Sequence, residues 1–389
     1  MGDTPRMQKH TILLSAGGTG GHIFPAEALA RDLLSRGFEV AMTTDIRGER
    51  YIPFDRNEVE VHVLKSGTVR KGLVSTITSV MNMGLGYVQA HHIIKRVKPV
   101  VVVGFGGYPS FPAVYAAQKR KIPTVIHESN AILGKANEYL APKADRIALG
   151  FPDISGLDES DVVRTVVTGT PVHPDIAELY NKPYPTIEQD GELRIFIMGG
   201  SQGAKVFGDV LPLAFSHLPE AQRKRLKITQ QCRKEDIEDV TTAYKDSGIK
   251  AELKPFYDDV PKRLADAHLF IGRSGSATVS EVTAAGRPAI FVPYPFHKDQ
   301  ELKRNAELVA DMGGAWVMTQ EGFTAEALLT RIETSLQSPE ILFLAAEKAR
   351  ASGRPDAARK LGNVVTAIAQ GWDKDKLKPY DLTQGRIES

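Results

Sequence analysis

The sequence predicts an α/β protein made of two Rossmann-like halves, each with a parallel sheet. Two observations predict this class. Short apolar runs rich in β-branched residues alternate with helical stretches along the whole chain, which is typical of buried parallel strands joined by helices. In addition, a strand, a glycine-rich turn and a helix follow one another twice in similar wording, as LLSAGGTGGHIFPAEAL and as IFIMGGSQGAKVFGDVL.

Six apolar runs bounded by glycine or proline are the predicted strands. In chain order they span residues 11–16, 99–105, 123–128, 194–200, 269–274 and 289–295. The first run is followed by a helix with one apolar face, formed by Ala26, Leu29, Ala30, Leu33 and Leu34. Pro25 marks the expected start of this helix, and Gly37 lies just past its expected end.

The domain boundaries follow from this repeat and from local composition. The stretch 175–191 is rich in proline, tyrosine, asparagine and aspartate and is typical of a loop-rich entry to the second half. We expect a first domain over 1–172, completed by a C-terminal helix at 355–371, and a second domain over 173–354. The polar, aperiodic stretch 373–389 is predicted to be a loosely ordered tail.

Length and composition are those of a soluble protein with two domains. A chain of 389 residues is long for one core, and 42% hydrophobic with 25% charged residues is ordinary for a globular protein. The net charge of +2 gives no reason to expect a nucleic-acid partner. The single Cys232 excludes an internal disulfide and fits a reducing cytosol. The N-terminus lacks an export signal and no run of about 18 apolar residues occurs, so we expect a cytoplasmic protein or one bound to a membrane from its cytoplasmic side.

The first glycine loop, AGGTGGH (16–22), predicts a binding site. Its backbone N–H groups lie between a strand and a helix, which favours an anion or a set of hydroxyls at the carboxyl edge of the sheet. Ile23 occupies the third glycine position of the G-x-G-x-x-G fingerprint, which argues against a dinucleotide oxidoreductase, and no P-loop motif occurs. A tight turn without a ligand is the alternative. His22 is a candidate base there, or else a structural histidine.

Three other strand ends carry similar signals. In RSGSATVSEVTAAG (273–286), small residues open a helix whose N–H groups suit a diphosphate, and Glu281 lies where a carboxylate can accept two hydrogen bonds from a ribose. A capped helix, with Glu281 as a first-turn partner of the helix dipole, is the alternative. The motifs GFGGYPS (104–110) and HESNA (127–131) follow two strands of the first half, as site residues or as local turn chemistry.

Together these motifs resemble the MurG family of bacterial N-acetylglucosamine transferases. The resemblance covers residues 11–370 and is carried by AGGTGGHIFPA, VVGFGGYPS, HESNAILGKAN, MGGSQGAKV, PFYDDV and GRSGSATVSEV, in that order. It implies the glycosyltransferase-B fold, two Rossmann-like domains that face each other across a cleft. It also implies an inverting transfer of N-acetylglucosamine from UDP-N-acetylglucosamine to the C4 hydroxyl of the muramyl sugar of lipid I (undecaprenyl-pyrophosphoryl-MurNAc-pentapeptide). The products are lipid II and UDP, in peptidoglycan synthesis.

Matched motif by motif, the resemblance implies roles for individual residues. His22 is the implied base. The implied donor-binding residues are Thr19, Gly20, Gly21, Asn130, His173, Ser201, Tyr257, Ser276, Ala277, Thr278, Val279, Ser280, Glu281 and Gln300. The implied acceptor-binding residues are Gly18, Gly106, Gly107, Tyr108, His127 and Glu128. No metal or cofactor is implied, because N–H donors at a helix N-terminus can stabilise the leaving UDP.

Three departures from the family pattern concern donor binding. His173 and Thr170 stand where the family has arginine and asparagine. Leu302 replaces a glutamine, so either Gln300 reaches the sugar from a shifted register or one sugar contact is missing. The alternatives to a MurG activity are another enzyme of the same fold, such as a lipid glycosyltransferase or a UDP-N-acetylglucosamine epimerase, and a non-catalytic paralogue that binds nucleotide sugar.

One window of the first half predicts a membrane face. Between Val61 and His127 there is no acidic residue, whereas the average over the chain would place about eight there, and nine basic residues occur. A helix in this window carries an apolar stripe, although a core helix beside a basic surface is the alternative. The residues predicted to meet the membrane are Arg70, Lys71, Leu73, Ile77, Met81, Lys95 and Arg96, with Val80 and Leu85 on the same stripe. We expect peripheral binding to the cytoplasmic face of the bacterial inner membrane, with cell-wall synthesis proteins as possible partners.

Overall fold

The computed structural model describes residues 10–55, 57–67, 73–188, 190–200, 203–295 and 300–371, with only the backbone for 73–76. These residues form two compact units. The first comprises the described chain up to Pro171 and from Asp356 onward, and the second is Val172–Pro355. Each unit holds one parallel sheet, so the predicted α/β class is confirmed. The tail 373–389 lies outside the described residues.

The first unit is built on a seven-stranded sheet of order β3-β2-β1-β4-β5-β6-β7. Its strands are β1 (Thr11–Ser15), β2 (Glu39–Thr44), β3 (Glu60–Val63), β4 (Val101–Gly104), β5 (Thr124–Glu128), β6 (Arg146–Leu149) and β7 (Thr165–Val167). Its first helices are α1 (Gly20–Ser35), α2 (Leu73–Val97), α3 (Gly107–Lys119), α4 (Lys135–Leu140) and α5 (Glu159–Val162).

The second unit is built on a six-stranded sheet of order β10-β9-β8-β11-β12-β13. Its helices are α6 (Pro174–Leu179), α7 (Lys205–Ser216), α8 (Glu220–Arg223), α9 (Ile237–Asp246), α10 (Val260–Asp266), α11 (Ser276–Ala284), α12 (Glu301–Asp311), α13 (Ala325–Gln337) and α14 (Glu340–Ser352). Its strands are β8 (Leu193–Met198), β9 (Leu226–Gln231), β10 (Lys250–Lys254), β11 (Leu269–Gly272), β12 (Ala289–Phe291) and β13 (Ala315–Val317). All six predicted strands are present.

The last described helix, α15 (Ala357–Ala369), belongs to the first unit. It packs on α1, where Arg36 Nη1 donates a hydrogen bond of 2.8 Å to Asn363 Oδ1. Side chains alternate between the faces of a strand, so Ile12 and Leu14 meet this helix pair while Leu13 packs on the other face of the sheet. The chain therefore returns to complete the core of its first unit.

Helix α1 starts earlier than the sequence indicated. It begins at Gly20, so the prediction that Pro25 marks its start was wrong. The fixed φ of proline fits a helix, and near the N-terminus its ring removes one backbone bond, the one to the carbonyl of Gly21. The expected end is confirmed, because the helix stops at Ser35 and Gly37 follows with φ of +86°.

In both sheets the order of the strands reverses after the third strand, at β3 in the first unit and at β10 in the second, so that the next strand is added on the other side of the first one. In the first unit β1 pairs with β2 on one side and with β4 on the other, and in the second unit β8 lies between β9 and β11. Ligands of open parallel sheets bind beyond the carboxyl ends of the strands at such a switch point. The motifs AGGTGGH, FGGYPS, GGSQGA and RSGSAT directly follow these four central strands. The topology therefore places each glycine- or serine-rich motif where a ligand is expected.

Candidate active site

Three loops of the first unit converge on His22. A Cβ atom added to Gly107 would lie 3.2 Å from Nε2 of His22, so the loop after β4 can approach the imidazole only because it is glycine. A Cβ added to Gly17 would lie 2.6 Å from Cβ of Pro109, which brings the first and second loops together. The third loop, after β5, reaches the same place through Asn137, whose Nδ2 would lie 3.3 Å from a Cβ on Gly106.

The environment of His22 keeps its imidazole neutral. Burial lowers the pKa of His22, and the opposing effects of the Glu128 carboxylate and of the Phe105 carbonyl are smaller. His22 is the third residue of α1, where the helix dipole also disfavours a cation. Its Nδ1 is buried without a hydrogen bond among the described residues. A neutral imidazole can accept a proton, which is the property that a general base needs.

Glu128 organises the third loop. Its carboxylate accepts hydrogen bonds from the backbone N–H and Nδ2 of Asn130, from the N–H of Gly134 and from Nδ2 of Asn137, over distances of 2.9–3.3 Å. Asn137 also donates to the carbonyl of His127 at 3.1 Å. Glu128 was predicted to bind the acceptor, and these contacts favour a role in positioning the loop. Asn137 was missed, although it lies in the quoted motif HESNAILGKAN.

The ring of His127 lies behind the site rather than in it. It is fully buried, its centroid lies 5.5 Å from that of the Phe105 ring in a tilted arrangement, and its Nε2 contacts the carbonyl of Gly169 at 3.1 Å. Burial lowers the pKa of His127 to about 4. This placement favours a supporting role over the predicted contact with the acceptor. Tyr108, by contrast, is exposed at the start of α3.

Asp45 was not found by sequence analysis. It follows β2, and its Oδ1 accepts hydrogen bonds from the N–H groups of Gly18 at 2.8 Å and Gly48 at 3.0 Å. Burial raises the pKa of Asp45, but these bonds and the Arg47 side chain outweigh it and hold the pKa below its ordinary value. The buried carboxylate thereby fixes Gly18 at φ of +85°, a backbone conformation that favours glycine. An acid directly after a strand, in EVAMTTD, was the available signal.

In the second unit, α11 presents its N-terminus at the carboxyl edge of the sheet. The helix starts at Ser276, has no side-chain cap and has no acidic residue in its first turn. The N–H groups of Ser276, Ala277 and Thr278 are therefore free of intrahelical partners and suit a diphosphate. Val279 is buried in the core, so its side chain is not a ligand contact.

Glu281 is the sixth residue of α11, which excludes the alternative that it partners the dipole in the first turn. Burial raises the pKa of Glu281 to about 7. A carboxylate held in such a place becomes more acidic when hydroxyl groups donate hydrogen bonds to it. The position therefore suits the predicted contact with a ribose diol.

Two polar side chains of the motif before α11 form hydrogen bonds within the protein. The hydroxyl of Ser274 donates to the carbonyl of Leu302 at 2.6 Å, and Asn305 Nδ2 contacts the carbonyl of Ser274 at 3.3 Å. Arg273 donates to the carbonyl of Val292 at 2.9 Å. Gln300 is exposed before α12 with φ of +55°. Its role with the sugar stays a prediction, as do those of Ser280 and Thr19.

Tyr257 and the neighbouring Phe256 differ in exposure, the first being buried and the second exposed. The Tyr257 hydroxyl donates to the carbonyl of Glu252 at 2.9 Å, and burial raises its pKa well above the ordinary range. Its side chain therefore belongs to the core, and its backbone alone can contact a base, as predicted. Phe256 is 62% exposed and was missed. Ser201 lies outside the described residues.

The two departures at the end of β7 have local structural roles. His173 caps α6, because its Nδ1 accepts a hydrogen bond of 3.2 Å from the N–H of Asp175. Thr170 is buried, and a Cβ on Gly150 would lie 2.5 Å from its Oγ1. Contact of His173 with a donor stays a prediction.

Four helices that follow the central strands share one property. None of α1, α3, α7 and α11 has a side-chain cap at its start or an acidic residue in its first turn. Thr324 of α13 and Asp158 of α5 are examples of side-chain caps elsewhere, whereas α10 and α15 also lack both a cap and a first-turn acid. Uncapped N-termini at the carboxyl edges of both sheets leave N–H donors and a positive dipole end for anionic ligands.

Comparisons with known proteins agree with this arrangement. The glycosyltransferase family 28 N-terminal domain matches residues 12–149, and the C-terminal domain of that family matches residues 194–361. A UDP-N-acetylglucosamine–N-acetylmuramyl-(pentapeptide) pyrophosphoryl-undecaprenol N-acetylglucosamine transferase from Rhodospirillum centenum is 48% identical over 363 residues, which are 93% of this chain and 96% of that protein. The crystal structure of Acinetobacter baumannii MurG superposes with a TM-score of 0.73 at 30% identity, covering 92% of this chain and 99% of that one.

A likeness in fold alone extends to other enzymes. A putative UDP-N-acetylglucosamine 2-epimerase from Listeria monocytogenes superposes with a TM-score of 0.64 at 15% identity, covering 94% of this chain and 98% of that one. The shared fold does not distinguish a transferase from an epimerase, whereas the relatives at high identity are named as transferases.

Proposed function

Because the chain belongs to glycosyltransferase family 28, we propose that its three-loop site binds a lipid-linked sugar acceptor and that α11 binds the nucleotide-sugar donor. The protein transfers N-acetylglucosamine from UDP-N-acetylglucosamine to the muramyl sugar of undecaprenyl-pyrophosphoryl-MurNAc-pentapeptide. It thereby forms lipid II and UDP for the cell wall. One observation supports the assignment of the reacting groups: three loops hold a neutral histidine at a switch point of the sheet.

The chemistry follows from the protonation states. Nε2 of His22 accepts the proton of the C4 hydroxyl, and the resulting oxygen nucleophile attacks the anomeric carbon of the donor from the face opposite UDP. The C1–O bond to the β-phosphate breaks as the O4–C1 bond forms, so the configuration at C1 inverts. The electron pair leaves with UDP, and the N-terminus of α11 stabilises the growing charge on the phosphate oxygens.

The glycine loops supply the acceptor side. Gly106 and Gly107 let the loop after β4 lie directly against Asn137 and His22, because a Cβ at these positions would come within 3.3 Å and 3.2 Å of those side chains. The uncapped start of α3 lies in the same loop and has no acidic neighbour in its first turn. This supports a role in binding the acceptor diphosphate, next to the exposed Tyr108.

Helix α2 supports a membrane-binding face. The side chains of Ile77, Val80, Met81, Leu85 and Val88 are between 51% and 66% exposed and recur at helical spacing on one face. Ser79 and Ala90, which lie on the opposite face of the helix, are buried. This exposure excludes the alternative that the apolar stripe belongs to the core. In the described parts of the chain, no helix has the length and apolar character needed to cross a bilayer.

The charges beside this stripe support binding to an anionic leaflet. Lys95 is exposed in the last turn of α2. Arg96 pairs with Glu60 at 2.5 Å, so it contributes less than predicted. Arg70 and Lys71 lie outside the described residues, and the side chain of Leu73 is not described. Each lysine or arginine near an anionic surface contributes roughly 1 kcal/mol to binding.

A turnover assay tests the proposed function. UDP release from UDP-N-acetylglucosamine is measured with and without a water-soluble lipid I analogue, and the sugar products are identified. A transferase releases UDP in proportion to a disaccharide product and only when the acceptor is present. An epimerase would convert the donor sugar without the acceptor, and a non-catalytic paralogue would bind UDP without turnover. Either result would contradict the assignment.

A further inference from the structure

Arg47 lies over the first glycine loop, and one edge of its guanidinium group is bonded to Asp45. Its Nε donates a hydrogen bond of 2.8 Å to Oδ2 of Asp45. A Cβ added to Gly18 would lie 3.6 Å from its Nη2, so the guanidinium covers the turn that precedes α1. Its side chain is 47% exposed. The described residues give Nη1 and Nη2 no hydrogen-bond partner.

The contacts of Asp45 explain why the cation is turned outward. The carboxylate is buried and receives the N–H groups of Gly18 and Gly48, Nε of Arg47 and, more weakly at 3.5 Å, the hydroxyl of Ser66. Both of its oxygens are therefore engaged on the protein side. The arginine is left with the two terminal nitrogens of its fork, which match two oxygens of a phosphate.

The alternative is an ordinary surface ion pair. A pair of that kind contributes little to stability, and it does not require that one carboxylate bind both the arginine and the glycine turn. Here the same buried carboxylate fixes Gly18 and aims Arg47, so the shape of the loop and the position of the charge are set together. A single residue that positions both the loop and the charge is expected where a ligand contacts both of them.

We infer that Arg47 binds a phosphate oxygen of the diphosphate of the lipid-linked acceptor, with Asp45 as its positioning residue. This inference rests on the proposed function, which places the acceptor in the first unit. The chemistry that recognises the ligand is a diphosphate ester, and the donor carries one too. Arg47 adds a permanent charge at the glycine turn that precedes α1, so it favours an acceptor with a charged linkage over a neutral glycoside.

Steady-state kinetics of Arg47→Ala, Arg47→Lys and wild type test this inference, with a short-chain lipid I analogue in detergent as the acceptor. We expect Arg47→Ala to raise the acceptor KM by about 10- to 100-fold, because a hydrogen bond to a charged group is lost. The affinity for UDP should stay unchanged. Arg47→Lys should restore part of the KM, because it keeps the charge and loses the fork. The acceptor KM of wild type should also rise more steeply with salt than that of Arg47→Ala.

Arg50→Ala is the matched control, because Arg50 is close in sequence but stacks on Tyr51 at 4.8 Å. An unchanged acceptor KM in Arg47→Ala, with an unchanged melting temperature, would overturn the inference. A weaker UDP affinity in that variant would assign Arg47 to the donor instead and would also overturn it. If Arg47→Ala is unstable, Arg47→Lys and Asp45→Asn take its place, and both should raise the acceptor KM.

Binding of a short alkyl diphosphate, measured by calorimetry, separates this inference from the proposed function. Wild type should bind it more tightly than Arg47→Ala whether or not sugar transfer occurs. If wild type transfers no sugar yet this difference persists, the proposed function fails and the diphosphate site stands. If transfer occurs and the difference is absent, the inference about Arg47 fails alone.

Discussion

At the scale of single residues, the proposed chemistry depends on keeping His22 unprotonated. We expect His22→Ala to lower kcat by about 10²- to 10⁴-fold, because a general base contributes that much to a proton transfer. UDP affinity should change little. Burial lowers the pKa of His22, so the fall in wild-type kcat at saturating substrates, as the pH is lowered, should have its midpoint below the ordinary value of 6.5. Near-normal turnover in His22→Ala, with the water-soluble acceptor, would return His22 to a structural role.

Glu281 makes a second prediction, about the donor. Its pKa is raised to about 7 by burial, and the ionised form accepts the two ribose hydroxyls more strongly, one on each oxygen, than the protonated form does. UDP affinity, measured by calorimetry, should therefore weaken as the pH falls below about 7, towards tenfold per pH unit. Glu281→Ala should weaken UDP and UDP-N-acetylglucosamine alike, because both carry the ribose.

The control for Glu281 is its amide. In Glu281→Gln the binding of UDP-N-acetylglucosamine, whose diphosphate does not titrate between pH 5 and 8, should become independent of pH in that range, in contrast to wild type. A folded-state pKa above the ordinary 4.5 means that ionisation destabilises the fold, and this loss is complete above about pH 7. The melting temperature of Glu281→Gln should therefore exceed that of wild type more at pH 8 than at pH 5. A UDP affinity that ignores pH in wild type contradicts the role of Glu281.

Single residues also show which parts of the candidate site could not be predicted from the sequence. His22 and Glu281 were found because glycine- and serine-rich motifs mark strand ends, and those motifs are local. Asp45 was missed because β2 was not predicted, so the acid that follows it was not recognised as a strand-end residue, and its partner Gly18 lies 27 residues away. The buried ring of Tyr257 and the exposed ring of Phe256 could not be told apart, since burial at a loop depends on neighbouring strands.

At the scale of elements, strands that lie in conspicuous apolar runs were predicted, whereas shorter or more polar strands were missed, including the buried strands β2 and β6. The six predicted strands lie in the sheets as continuous apolar runs, for example TILLS in β1. The strands β9 (LKITQQ) and β10 (KAELK) were not predicted, because they alternate polar and apolar residues near a sheet edge and β10 is largely exposed. The spacing of the apolar residues of α2 predicts one apolar helix face, but it does not show whether that face packs in the core or lies on the surface.

Helix α2 makes the prediction that belongs to this scale. We expect the triple variant Ile77→Ser, Met81→Ser, Leu85→Ser to lose binding to anionic vesicles, because three exposed apolar side chains no longer enter the interface. Wild-type binding should weaken as salt rises. The melting temperature and the activity on a water-soluble acceptor should change little, since these side chains are exposed. Co-sedimentation with vesicles measures the binding.

Leu213→Ser on α7 is the matched control, because Leu213 is 52% exposed in the second unit. It should leave vesicle binding intact. Undiminished sedimentation of the triple variant would place the membrane face elsewhere. Loss of binding in Leu213→Ser would show that the assay reports general surface hydrophobicity rather than the α2 face.

At the scale of the whole molecule, the two units repeat one plan for two ligands. Each sheet places two small-residue motifs at its switch point, and each motif opens an uncapped helix. The units differ in the groups added to that plan. The first adds His22, Asp45 and Arg47, and the second adds Glu281. A shared fold with other nucleotide-sugar enzymes is expected on this basis, since the added groups rather than the sheets determine the reaction.

The chain is not divided into two consecutive halves, and the last prediction follows from this. Helix α15 buries Leu361, Val364, Val365 and Ile368 in the core of the first unit. Four buried aliphatic side chains contribute roughly 6–12 kcal/mol, which is comparable to the whole stability of a domain. A chain that ends after Pro355 should therefore lose the cooperative unfolding transition of its first unit and its vesicle binding. UDP binding should remain, because α11, the proposed donor-binding helix, belongs to the second unit. A chain that ends after Gly371 is the control and should unfold like wild type in calorimetry. If the chain ending after Pro355 kept both transitions, α15 would be an accessory to the first core rather than part of it.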